Sequence, residues 1–236
     1  TGAEALVRWD DPRRGLLSPG DFIPVLEENG SITELDFYVL EEGCRFLREW
    51  LDAGFDPVPV SVNQSRLHLY RADYLQRLLG TVHRYGVPPQ LIVLEITESA
   101  ALDNAGALIK VTRELHAAGF RVSMDDFGSG YSSLNLLDSI PFDELKLDKR
   151  FFDDFAGRSR GRTIVASILS MAKGLGISTV AEGIERKEQL EWLRREGCDA
   201  IQGFYLARPM PRAEFERQVF GAESGERVKR VRGSLT

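Results

Sequence analysis

Short runs of apolar and β-branched residues recur along the chain at Ala5 to Trp9, Val58 to Val62, Leu91 to Ile96, Phe120 to Met124, Glu144 to Leu147, Ile177 to Ala181 and Ala200 to Leu206. Each has the length of a strand. Between them, apolar residues return at three- and four-residue intervals, the period of a helix with one buried face. Leu35, Val39, Leu40, Phe46, Leu47 and Trp50 form one such stripe, and Leu75, Leu78, Leu79 and Val82 another. Leu108, Val111, Leu115 and Ala118 form a third, and Ile164, Ile168, Leu169 and Ala172 a fourth. Gly54, Gly86, Gly119, Gly176 and Gly197 stand where helix C-terminal caps would. Strands alternating with helices predict parallel pairing and right-handed crossovers. Seven such units favour a closed β/α barrel over a doubly wound sheet, and no Gly-rich turn follows an early strand as a dinucleotide fold would require.

The ends of these runs carry the chemistry. Val60-Ser-Val leads into Asn63, Ile92-Val-Leu into Glu95 and Glu98, and Val122-Ser-Met into Asp125 and Asp126. Leu145 precedes Lys146 and Asp148, Val180-Ala precedes Glu182 and Glu185, and Ile201 precedes Gln202. In a β/α barrel all C-terminal strand ends open onto one face, so groups far apart in sequence are predicted to converge. Several carboxylates with one asparagine and few histidines form a donor set for a hard cation, Mg2+ or Mn2+ rather than zinc. Surface carboxylates paired with Lys or Arg are the alternative, but the preceding segments are too apolar for the surface. His68, His83 and His116 show no metal-ligand spacing and read as ordinary surface or partly buried residues.

Composition narrows the picture further. Hydrophobic residues make up 43% of the 236 and charged residues 28%, as in a folded globular chain. Acidic side chains number 36 against 30 basic, a net charge of -6, which argues against general adhesion to DNA, RNA or anionic lipid. Cys44 and Cys198 are too few for a disulfide scaffold or a thiolate zinc site. No apolar run approaches the ~20 residues of a membrane span. The expectation is a domain of a reducing compartment, and Thr1 in place of Met reads as a piece of a longer chain. Residues 222–236, polar and basic, are expected to be a frayed tail beyond a domain of residues 1–221.

Two motifs need their own reading. In Asp125-Asp126-Phe127-Gly128-Ser129-Gly130, neighbouring aspartates can share a site only if the chain turns there, and the glycines offer that freedom. A bridging aspartate beside a second suits two cations about 3.5–4 Å apart, while an Asp-rich turn capping a helix is the plainer reading. In Glu4-Ala-Leu-Val-Arg-Trp9, alternation places Glu4, Leu6 and Arg8 on one face. Glu4 and Arg8 could simply pair there, or act as a metal ligand and a phosphate clamp.

The segment Glu4-Ala-Leu-Val-Arg-Trp9 resembles the signature of EAL-domain cyclic-di-GMP phosphodiesterases. The resemblance continues in order through Asp21-Phe-Ile-Pro24, Ser61-Val-Asn63-Gln-Ser65, Leu94-Glu-Ile-Thr-Glu98 and Asp125-Asp-Phe-Gly-Ser-Gly-Tyr131. Lys146-Leu-Asp148, Val180-Ala-Glu-Gly-Ile-Glu185 and Gln202-Gly-Phe-Tyr205 with Pro209 complete it, over about residues 2 to 220. It implies a TIM-like (β/α)8 barrel of the EAL type, here without the antiparallel first strand that usually precedes the signature.

The resemblance also implies roles. Glu4, Asn63, Glu95 and Asp125 match ligands of a first metal, with Asp125 bridging to a second that Asp126 helps bind. Lys146 and Glu182 match residues around the attacking water, Glu182 as general base. Glu98, Asp148 and Glu185 match supporting positions. Arg8 matches a phosphate contact, and Phe22, Asp36, Gln202 and Gly203 match contacts to the guanines. The loop through Tyr131 and Leu134 matches a segment linking metal occupancy to dimerisation. The implied function is hydrolysis of cyclic-di-GMP to linear pGpG with two Mg2+ or Mn2+ ions. The implied setting is a cytoplasmic homodimer with regulatory or sensor domains in a full-length protein that could be membrane-anchored. The competing reading is a cyclic-di-GMP receptor without hydrolysis. An unrelated magnesium-dependent barrel would leave the paired aspartates unexplained.

Overall fold

The computed structural model describes residues 2–129, 134–153 and 159–221, without the side chains of Leu134 and Ser159. The expected tail and the Tyr131 loop lie outside them. The described residues divide into two compact units, one of residues 2–123 with 134–142, the other of residues 124–129, 143–153 and 159–221.

In the first unit, β1 (Ala3–Glu4) precedes a hairpin of β2 (Trp9–Asp11) and β3 (Gly15–Leu17), then α1 (Pro19–Glu28) and α2 (Ile32–Asp52). β4 (Val60–Asn63), α3 (Tyr74–Tyr85), β5 (Ile92–Thr97), α4 (Glu98–Asp103), α5 (Ala105–Ala117) and β6 (Arg121–Phe127) follow, with α6 (Leu134–Ser139) added later in the chain. Its sheet runs β1-β4-β5-β6, with β1–β4 and β4–β5 parallel. β6 passes into the second unit between Ser123 and Met124. That unit continues with β7 (Glu144–Leu147), α7 (Ser159–Leu175), β8 (Ser178–Ala181), α8 (Lys187–Glu196), β9 (Ala200–Ile201) and α9 (Arg212–Val219). Its sheet runs β6-β7-β8-β9, with β7–β8 and β8–β9 parallel.

The strands are buried because helices cover them. Val62, Ile92, Leu94, Val122, Leu145 and Leu147 have no exposed surface, and each such side chain contributes about 1.5–3 kcal/mol by leaving water. The five glycines expected at helix ends all have positive φ, from 60° at Gly86 to 91° at Gly119. At Gly86 and Gly197 the cap N–H returns to carbonyls of the last turn, ending α3 and α8 before the next strand.

Three expectations are corrected. The first strand ends at Glu4, and Trp9 belongs to the β2–β3 hairpin, so the alternation from Glu4 to Arg8 is not that of one strand. β9 stops at Ile201 rather than Leu206, because Gly203 turns the chain at φ 154°. On the helices the buried lines are rotated. In α2 the line passes through Ile32, Asp36, Phe37, Leu40, Cys44, Leu47 and Trp50, with Leu35, Val39 and Phe46 on its flank. In α7 Val165 takes the core position and Ile164 is 52% exposed.

Candidate active site

The second unit gathers the ends of β6, β7 and β8. Lys146, on β7 and only 2% exposed, places its ammonium 3.1 Å from Asp125 Oδ1 and 2.8 Å from Glu182 Oε1. A buried ammonium is tolerated only when its charge is met, and here two carboxylates meet it. One oxygen from each of Asp125, Asp126 and Glu182 lies within 4.8 Å of the others. Three carboxylates against one ammonium leave a surplus of negative charge.

That surplus shows in Asp126. Burial, then the neighbouring Asp125 and Asp148, push its carboxyl up to about 6. Burial acts to raise Asp148 too, but Arg150 outweighs it and holds its carboxyl below the usual range. Arg150 donates to Asp148 Oδ1 from its backbone N–H and Nε, both at 2.8 Å. All of these donors are oxygen, with negative charge to spare, so they fit a hard divalent cation.

The turn that brings the two aspartates together begins at an aspartate. Asp126 itself has φ 57°, a left-handed conformation that costs most residues energy but that Asp tolerates better. Its N–H donates to Asp125 Oδ1 at 3.0 Å, and its carbonyl accepts from Ser129 N–H at 3.0 Å. Gly128, at φ 91°, completes the turn, where a side chain would collide with the Phe151 ring. The expectation that the glycines alone supply the turn is thus modified.

After β8, Glu182 N–H donates to Leu147 carbonyl at 3.0 Å. Ile184 N–H donates to Gln202 carbonyl at 3.1 Å, and Gln202 N–H to Ala181 carbonyl at 2.8 Å. Gly203 lies so close to the Ile184 backbone that any side chain there would clash. Glu185 contributes its N–H to Gln189 Oε1 at 3.0 Å.

In the first unit, Asn63 and Glu95 are register neighbours on β4 and β5, and Glu4 on β1 is level with Ser61. Asn63 Nδ2 donates to Glu4 Oε1 at 3.1 Å, which joins two of the predicted ligands directly. Glu95 is 2% exposed, and Glu98 opens α4 behind the Thr97 cap, fully inside. Arg8 is exposed in the loop before the hairpin, its Nη1 donating to the Val7 carbonyl at 2.7 Å. Phe22 is buried with its ring edge-on to Trp9, the centroids 5.5 Å apart.

Asp36 sits inside this unit. Its Oδ2 accepts from Ser65 N–H at 2.8 Å and lies 2.9 Å from His68 Nε2. His68 is 1% exposed and stacks on Tyr74 at 4.6 Å, so it is a core residue, contrary to the expectation of a surface or partly buried histidine. Tyr74 hydroxyl donates to Gln64 Oε1 at 2.9 Å, and Gln64 Nε2 donates to the Asn63 carbonyl at 2.7 Å. This polar chain behind Asn63, like Arg150 and Gln189 in the other unit, escaped the sequence reading. Gln189 had a faint signal, as an amide in the first turn of a helix after a strand-end loop.

The EAL domain family model matches residues 1–209. The chain belongs to the EAL domain family. This EAL domain is 41% identical over 210 residues to the bifunctional diguanylate cyclase/cyclic di-GMP phosphodiesterase MucR of Pseudomonas aeruginosa, covering 89% of the chain and 31% of MucR. It is 39% identical over 213 residues to the cyclic di-GMP phosphodiesterase NbdA of the same organism, covering 90% of the chain and 27% of NbdA. The EAL domain thus spans less than a third of these relatives. A solved structure of PaMucR phosphodiesterase in complex with c-di-GMP superposes with a TM-score of 0.85 at 40% identity, over 90% of this chain and 86% of that one. At the level of fold class, the expected TIM-like α/β barrel of the EAL type is met.

Proposed function

We propose that this EAL domain is a metal-dependent phosphodiesterase that opens cyclic-di-GMP to linear pGpG. The observation that carries the reading is Lys146, buried between Asp125 and Glu182 with Asp126 alongside. Relatives named as cyclic di-GMP phosphodiesterases at about 40% identity support it, and a structural neighbour is described with that dinucleotide bound.

In this reading Glu4, Asn63, Glu95, Asp125 and Asp126 are the residues that would hold Mg2+ or Mn2+, with Asp125 shared between two ions. Two such ions would acidify the attacking water and screen the phosphoryl charge. Glu182 accepts the proton from that water as general base. Lys146 orients Glu182 and Asp125 and adds fixed positive charge for the phosphoryl oxygens, effective because its ammonium is itself buried. Arg8 contacts the phosphate, Phe22, Asp36, Gln202 and Gly203 serve the guanines, and Glu98, Asp148 and Glu185 support the loops. The same reading takes the domain as a cytoplasmic homodimer with further regulatory domains, and the greater length of the relatives supports the last of these alone. Among the described residues no helix is long and apolar enough to cross a membrane.

The test is incubation of the protein with cyclic-di-GMP and Mg2+ or Mn2+, with and without EDTA, followed by chromatography. Linear pGpG formed only with metal is the expected result. Tight binding of cyclic-di-GMP with no linear product would replace the enzyme with a receptor.

A further inference from the structure

Glu182 lies one residue beyond β8, on a segment that must turn before α8 begins at Lys187. The near end of that segment is fixed by the Glu182 N–H bond to Leu147. Its far end is held by one side chain. Gln189, 5% exposed in the first turn of α8, accepts from the N–H groups of Glu185 and Arg186 at 3.0 and 2.9 Å. Its Nε2 donates to the Phe152 carbonyl at 3.1 Å. Phe152 closes the 3-10 turn Lys149–Phe151, whose cap is Asp148, two residues past Lys146. One buried amide therefore adds a second link, beyond the Glu182–Leu147 bond, between the segment carrying Glu182 and the segment carrying Lys146.

Capping a helix requires only an acceptor at this position, and Glu serves there as well as Gln. The bond to Phe152 requires a donor, which a carboxylate lacks and an amide supplies. That second bond contributes nothing to the cap.

We propose that Gln189 is a positioning residue that clamps the segment after β8 to the turn after β7 and so sets the 2.8 Å approach of Glu182 to Lys146. The proposal rests on the reading of those two side chains given above. Gln189→Glu keeps both acceptor bonds and loses the donor. Two N–H groups and a helix N-terminus favour the ionised carboxylate against burial and the facing Phe152 carbonyl, so the variant is measured above about pH 8, where it has no proton to donate. Gln189→Met loses all three bonds.

Hydrogen exchange, steady-state kinetics with cyclic-di-GMP and the NMR signal of the Lys146 ammonium together test the clamp. In Gln189→Glu, the Glu185 and Arg186 amides keep parental protection, kcat falls about tenfold with KM within about twofold, and the Lys146 signal shifts. In Gln189→Met the amides lose protection as well. Parental kcat and an unmoved Lys146 signal in Gln189→Glu would overturn the proposal. So would equal losses in kcat and amide protection, which would make Gln189 a helix cap alone. Should the parent protein itself produce no pGpG, the phosphodiesterase reading fails, and the Lys146 signal still decides the clamp.

Discussion

An ammonium as secluded as that of Lys146 is expensive to desolvate, and Asp125 and Glu182 offset the cost only by contributing two charges of their own. Removing one member of such a group leaves the others uncompensated. Lys146→Ala and Glu182→Gln are each expected to lower kcat by at least about 10²–10³-fold. Equilibrium binding of cyclic-di-GMP should change far less. Parental turnover in either variant would remove that residue from the mechanism. A second expectation concerns thiols. Cys44 and Cys198 are both buried, and burial pushes the Cys44 thiol up to about 12 and raises that of Cys198. Thiolate is the reactive form, so neither should react with a disulfide reagent at neutral pH until the chain unfolds, when both should. Rapid labelling of the folded protein would contradict the burial.

At the scale of elements, much of the site was legible because a parallel strand must end on something polar. Asn63, Glu95, Asp125, Lys146 and Glu182 all fall within two residues of the C-terminal ends of β4 to β8. The capping glycines were legible because a left-handed helix end strongly favours glycine. The first strand was misread because alternation continues in sequence past Glu4, where pairing with β4 stops. Asp36, His68 and Gln189 were hard to weigh because a polar residue on a helix looks solvated until its partner is known, and the partners are 29, 32 and 37 residues away. The chain from His68 and Tyr74 through Gln64 to the Asn63 carbonyl makes a prediction of its own kind. Tyr74→Phe removes one hydroxyl and leaves Gln64 Oε1 buried, which costs about 1–3 kcal/mol. Chemical denaturation of the variant measures it. A change below about 0.5 kcal/mol would mean that the hydroxyl bond contributes little to holding the segment after β4.

For the whole molecule, a net charge of -6 argues against general nucleic-acid adhesion but conceals where the acidic groups lie. Several of them sit together at strand ends, where crowding already pushes Asp126 upward. Folding the chain without a cation therefore brings like charges close, and a cation bound only by the folded form should stabilise it by mass action. With Mn2+ at a hundred times its dissociation constant the gain is about 2.7 kcal/mol. At about 2–4 °C per kcal/mol for a chain of this size, the melting temperature should rise by about 5–10 °C. Screening alone would also ease repulsion, so the control is NaCl at matched ionic strength, which should reproduce little of the rise. Asp126→Asn separates the two causes further. Asn tolerates the same left-handed backbone, so the turn at φ 57° survives while one anionic donor is lost. That variant should melt at or above the parental temperature without Mn2+, because a repulsive charge is gone, and should gain less when Mn2+ is added. An equal Mn2+ response in parent and variant would show that Asp126 is not a ligand, and an equal response to NaCl would show that no specific cation site exists.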